Sequence, residues 1–76
     1  MIYDINMMEN ISQAYEDIFQ EPIEDSRLEE LEILIDESES LDDIDALADN
    51  EDATISGGER HAIESVLTPL GWTYNQ

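Results

Sequence analysis

Residues 26–38 read SRLEELEILIDES. The choice between helix and strand for this run sets the fold class of the whole chain. Leu28, Leu31, Leu34 and Ile35 recur at steps of three and four, the spacing of one helical face. Glu29, Glu30, Glu32, Asp36 and Glu37 lie around the other sides. A strand over residues 32–36 is the competing reading, but its glutamate and aspartate fit a pleated, half-buried surface poorly. A helix is therefore expected, with Ser26 and Glu29 spaced as a capping box at its start. Ile33 falls off the apolar stripe; it either widens the core face or is left to meet a partner.

The neighbouring segments carry the same period. In residues 5–19, INMMENISQAYEDIF, the stripe is Ile5, Met8, Ile11, Tyr15, Ile18 and Phe19. Asn6 with Glu9, or Asp4 one turn earlier, supplies a cap, and Pro22 stops the helix. In residues 41–48, Leu41, Ile44, Leu47 and Ala48 repeat the spacing. Ser40 is placed to cap this helix, with Asp42 and Asp43 in its first turn, where negative charge suits the helix dipole. Residues 49–52 form a polar loop. A last helix over residues 57–68 turns Ala62, Ile63, Val66 and Leu67 inward and ends at Pro69 and Gly71. The tail, with Trp72 and Tyr74, either folds back on the core or pairs as a strand with residues 1–4. The expectation is one all-α domain over residues 1–76, a compact bundle of three or four short helices.

Seventy-six residues make a small domain, which buries about 60% of the surface its unfolded chain exposes. There is no cysteine, so neither a disulfide nor a thiolate zinc site is available. No apolar run is long enough for a membrane span, and no basic, apolar leader for secretion is expected. An intracellular protein, in the cytoplasm of a bacterial host, is expected.

Charge is the dominant feature. Asp and Glu total 21 against two cations, Arg27 and Arg60, with no lysine, for a net charge of −19. Such a chain repels nucleic acid and anionic membrane, and attracts basic surfaces at long range. Strong acidity also accompanies disorder. Here Leu, Ile, Val and Phe number 19 of 76, just above the disorder-prone range, and their helical spacing favours a folded bundle. An acidic, partly disordered interaction segment is the alternative.

Thr54–Arg60 reads TISGGER. The Ser-Gly-Gly-Glu run resembles the signature loop of ABC-type ATPases, which sets a hydroxyl and helix N-terminal N–H groups against a phosphate. Such an ATPase also requires a GxxxxGK[ST] loop, which a chain without lysine lacks. Ser56 as N-cap and Glu59 at N3 account for the run as a capping box without a ligand.

Other chemistry is poorly supplied. In DDIDALADNED, residues 42–52, the sixth and twelfth positions of a calcium loop fall on Ala48 and Thr54, or on Asn50 and Ser56, so neither register fits. His61, the only histidine, has no recognisable nucleophile partner. No catalytic residue, metal or cofactor is expected, and the chain is read as a non-enzyme. The segment EDSRLEELEILIDE resembles the acyl carrier proteins, small acidic four-helix proteins with phosphopantetheine on the serine of an Asp-Ser-Leu motif. Asp25 and Ser26 match, while Arg27 stands where leucine belongs and the preceding link is short. That resemblance implies a carrier modified on Ser26.

Residues 29–52 hold 12 acids in 24 positions: Glu29, Glu30, Glu32, Asp36, Glu37, Glu39, Asp42, Asp43, Asp45, Asp49, Glu51 and Asp52. This exceeds what solubility asks of a small domain, and self-repulsion lowers folding stability. A helix lines up carboxylates at steps of three and four, as with Glu29, Glu32, Asp36 and Glu39. In size, charge and expected bundle form the chain resembles the small acidic DNA mimics of phages and mobile elements: anti-restriction proteins, anti-CRISPR proteins and glycosylase inhibitors. The resemblance implies an inhibitor. It would seat these carboxylates in the nucleic-acid groove of a basic host protein, a CRISPR effector or restriction enzyme. A small core favours a shared apolar face while a charge of −19 on each chain opposes it, so a monomer or weak homodimer is expected. Ile33, Tyr3, Trp72 and Tyr74 are the candidate apolar anchors.

Overall fold

The computed structural model describes residues 5–49 and 53–74, with side chains from residue 6. Among these residues four α-helices follow one another: α1 (Ile5–Phe19), α2 (Asp25–Asp36), α3 (Leu41–Asp49) and α4 (Gly57–Leu67), with a 3-10 turn at Thr68–Leu70. No strand occurs among the described residues, and the run that opened the sequence question is helical. Helix α4 is the hub: it packs against α1 and α3, while α2 lies on α1. The bundle measures 33 × 29 × 18 Å.

The apolar stripes meet where the spacing sends them. Ile11, Leu31, Ile35, Ile44, Ile63 and Leu67 are fully buried. Leu28, Leu34, Leu47, Ala48 and Val66 pack around them half-buried. Two loop residues join the core, Ile23 after Pro22 and Ile55 before Ser56. The stripe of α1 is rotated from its expected course. Met7 is buried and Met8 only partly so, and Ile18 and Phe19 are 39% and 37% exposed. The reason lies at the end of α1, where Phe19 stacks on Tyr15 and lays its ring over Gly58 rather than entering the core.

Several helix ends differ from the sequence expectation. Helix α2 starts at Asp25 with Glu24 as N-cap and no side-chain cap bond, so Ser26 lies in the first turn and does not cap. Ser40 is buried at the start of α3 with its hydroxyl unpartnered. The start of α3 is held instead by Asp43, whose carboxylate accepts the Glu39 N–H at 2.8 Å, and by Thr73, whose carbonyl accepts the Leu41 N–H at 3.0 Å. Helix α1 starts at Ile5, which puts Asn6 inside its first turn. Gln20 ends α1 in the left-handed region, φ 62°, and its side-chain amide donates to the Asp17 carbonyl.

The tail folds back. The Trp72 N–H donates to the Leu67 carbonyl, and the Trp72 side chain packs half-buried against the core. Its alternative partner strand at residues 1–4, the Asp4 cap, Tyr3, the Ile5 side chain, Glu51 and Asp52 lie outside the described residues. No helix among the described residues is long and apolar enough to cross a membrane.

Candidate functional site

The TISGGER run resolves into the expected capping box. The Glu59 N–H donates to Ser56 Oγ at 3.1 Å, and the Ser56 N–H donates to Glu59 Oε1 at 2.9 Å. Glu59 has a second role that the sequence does not announce. It is 7% exposed and receives Arg27 through two parallel bonds, Nε to Oε2 at 2.8 Å and Nη2 to Oε1 at 2.7 Å. Arg27 Nη2 also donates to the Thr54 carbonyl. The Arg27 bond, with those from Ser56, holds the Glu59 carboxyl below its ordinary range against the opposing effect of burial.

The second cation is likewise turned on the chain's own acids. Arg60 Nη1 lies 3.2 Å from Asp45 Oδ1 and 3.7 Å from Glu64 Oε1. Asp45, expected on an open acidic face, is therefore half-buried and paired. Both arginines are thus occupied by internal carboxylates, and Arg27 reaches outward only to Glu30, at 3.7 Å.

The remaining candidate acids follow the course of α2 into α3. Glu29, Glu30, Asp36, Glu37, Glu39, Asp43 and Asp49 are exposed, while Glu32 and Asp42 are half-buried. Eight of the fifteen positions from 29 to 43 are acidic, against three of the fifteen in α1, so density peaks on this side of the sequence. Ile33 is 59% exposed. Its neighbours at i−4, i−3, i+3 and i+4, the positions that surround a residue on a helix surface, are Glu29, Glu30, Asp36 and Glu37. The outward side of α2 is thus one isoleucine ringed by four carboxylates.

Helix polarity works against this arrangement. Among the described residues no helix carries a cation in its last turn, and α1, α2 and α3 instead place Asp17, Asp36 and Asp49 there. A carboxylate at that end faces the negative pole of the macrodipole.

A cleft of about 320 Å³ between α3 and α4 is lined by Asp45, Ala48, Asp49, Gly57 and Arg60. Its acids disfavour a phosphate, and its one cation is already paired with Asp45. Among the described residues no group of three or more His, Asp or Glu side chains is arranged to hold a metal ion. Ser26 is exposed, and His61 is exposed on α4. The acid positions and the Ser56–Glu59 box are local patterns that sequence reasoning finds. It missed the Arg27–Glu59 and Arg60–Asp45 pairs; the Arg27–Glu30 and Arg60–Glu64 contacts have a local signal, their i,i+3 and i,i+4 spacing. No protein-family model, no curated protein and no solved structure matches this chain.

Proposed function

We propose that this protein is a non-enzymatic DNA mimic, phage-encoded, that occupies the basic nucleic-acid-binding surface of a host defence protein, a CRISPR effector or a restriction enzyme, and blocks its access to DNA. The observation that carries the reading is the disposal of the two cations. Arg27 and Arg60 are turned onto Glu59, Asp45 and Glu64, which leaves the α2–α3 acids facing solvent with almost no positive charge beside them.

The charge spacing suits a groove built for phosphates. Glu29, Glu30, Glu32, Asp36 and Glu37 span eight residue steps of α2 and its C-cap, or about 12 Å of axis, one carboxylate per roughly 3 Å. A single DNA strand carries one phosphate per roughly 3.4 Å of axis. At the scale of the molecule, the 33 Å long dimension compares with a duplex length bearing about 19 phosphates, and the net charge is −19. Acids retained at three helix C-termini lower stability, which fits a surface kept for binding. Ile33 supplies an apolar centre to the acidic ring, the arrangement of a hot spot sheltered by a charged rim.

The test is inhibition of DNA cleavage by a purified CRISPR effector and by a restriction endonuclease. Cleavage is expected to fall with added protein and to recover with excess duplex DNA. The variant Glu29→Gln/Glu30→Gln/Asp36→Asn/Glu37→Gln is expected to inhibit on the order of a hundredfold less, since each exposed charge contributes up to about 1 kcal/mol. Full inhibition by that variant would contradict the assignment to α2. A mass increment for phosphopantetheine on Ser26 would favour the carrier reading instead.

A further inference from the structure

Ile33 is the most exposed large apolar side chain among the described residues. It stands in the middle of the outward side of α2, while Leu31 and Ile35, two steps away in either direction, are fully buried in the core. The other exposed apolar groups lie elsewhere. Ile18 and Phe19 end α1, Leu70 sits in the 3-10 turn, and Tyr74 donates its hydroxyl to Glu64. A lone exposed isoleucine is ordinary on a protein surface. Its setting here is not, because the exposed residues Glu29, Glu30, Asp36 and Glu37 occupy the helix positions around it. Helix propensity does not call for it either, since glutamate, lysine and glutamine suit an exposed helix position better.

A surface that covers this patch has to satisfy two chemistries at once. The four carboxylates call for cations. The isoleucine calls for an apolar spot between them, because a wall of arginine and lysine alone would lose hydration against it without gaining a partner. Nucleic-acid grooves differ on this point. A groove for duplex backbone meets phosphate and sugar with polar and cationic groups. A groove for a single strand combines cations with aromatic side chains on which successive bases stack. The axial run from Glu29 to Glu37, about 12 Å, spans about three to four phosphates of one strand.

Resting on the mimic reading above, we propose that the outward face of α2 enters a single-strand groove, the kind that holds the displaced strand in an RNA-guided CRISPR effector. Ile33 covers the aromatic platform on which a base otherwise stacks. Glu29, Glu30, Asp36 and Glu37 take the cations that otherwise hold the neighbouring phosphates. Charge is common to duplex and single strand, so both compete with the protein, but only the single strand also claims the platform.

The experiment measures binding of the full chain to a purified, guide-loaded CRISPR effector. The competitors are a short single strand and its duplex, both without a guide match or the effector's recognition motif. The single strand is expected to displace the protein at about tenfold lower nucleotide concentration than the duplex. Ile33→Ala, which keeps every charge and suits a helix, is expected to bind on the order of tenfold more weakly with an unchanged salt dependence. Ile33→Leu is expected to keep wild-type affinity, and circular dichroism checks that both variants stay helical. Equal competition by duplex and single strand, or wild-type binding by Ile33→Ala, would overturn the single-strand assignment and leave mimicry standing. An effector that does not bind the protein, or holds it against both competitors, would overturn the mimic reading and this inference with it.

Discussion

Arg27 and Glu59 are 32 positions apart in sequence and meet through two parallel hydrogen bonds of 2.8 and 2.7 Å. The pair joins the first turn of α2 to the first turn of α4, and the same carboxylate closes the Ser56 capping box. One glutamate thus fixes both a helix start and the placement of the helix that carries the acidic face.

Removing it is expected to be expensive. Glu59→Ala leaves Arg27, 28% exposed, with the Thr54 carbonyl and Glu30 at 3.7 Å in place of its two short carboxylate bonds, and opens the cap. Breaking a buried pair costs about 3–5 kcal/mol and an exposed one at most about 1, so roughly 2–3 is expected here. A domain of this size holds only about 4–11 kcal/mol in total. Urea denaturation of Glu59→Ala, Arg27→Ala and the double variant measures the loss. The double variant is expected to lose less than the sum of the two singles.

Glu59 and Glu64 give stability opposite dependences on pH. The Glu59 carboxyl is held down by Arg27, so its contribution is complete above the ordinary glutamate range and is lost as pH falls through its lowered folded value. The Glu64 carboxyl is pushed up, so the folded state takes up a proton before the unfolded chain does, and stability rises as pH falls toward the ordinary range. Denaturation midpoints across pH are expected to peak on the mildly acidic side. In Glu64→Gln the rise between neutral pH and the peak is expected to be smaller, and in Glu59→Gln the acid-side loss shallower.

The two glycines of the capping box separate local conformation from packing. A Cβ at Gly57 meets nothing within 4 Å, so Gly57→Ala is expected to stabilise by about 0.4–1 kcal/mol by restricting the unfolded chain. A Cβ at Gly58 comes within 2.5 Å of Phe19 Cζ, and the ring has to leave its seat and its stack on Tyr15. Gly58→Ala is expected to destabilise by about 1 kcal/mol, the lower end of overpacking costs. Thermal melts of the two variants test this difference in sign.

Added salt is expected to raise the melting temperature, because 19 uncompensated charges repel at distances that a Debye length of about 8–10 Å screens. A fold held mainly by surface ion pairs would respond the other way. Asp49→Lys reverses the charge at the C-terminus of α3 and is expected to stabilise by about 0.3–1 kcal/mol at low salt. Melting curves at low and high sodium chloride measure both effects, and the gain from Asp49→Lys is expected to shrink at high salt.

What the sequence reveals here follows the range of each interaction. The four helices, the Ser56–Glu59 box and the acid positions are patterns of three or four residues, and they appear where the spacing puts them. The first helical face slips by one residue to Met7, and Phe19 stays outside, because Gly58 on a different helix offers its ring a flat seat. Ser26 and Ser40 have the composition of caps but not the role. Glu24 already stands at the N-cap of α2, and the α3 start is held by Asp43 and by the returning tail. The Arg27–Glu30 and Arg60–Glu64 contacts follow helical spacing, but the shorter pairs, Arg60–Asp45 and Arg27–Glu59, span 15 and 32 positions, beyond any local pattern.

In the proposed function the α2–α3 carboxylates stand in for phosphates. Its most direct measurement is the affinity of the protein for a purified CRISPR effector or restriction enzyme across salt concentration, with and without competing duplex DNA. Log affinity is expected to fall steeply and linearly with log salt, and the apparent Kd to rise in proportion to added DNA. Binding that is flat in salt and indifferent to DNA would contradict it.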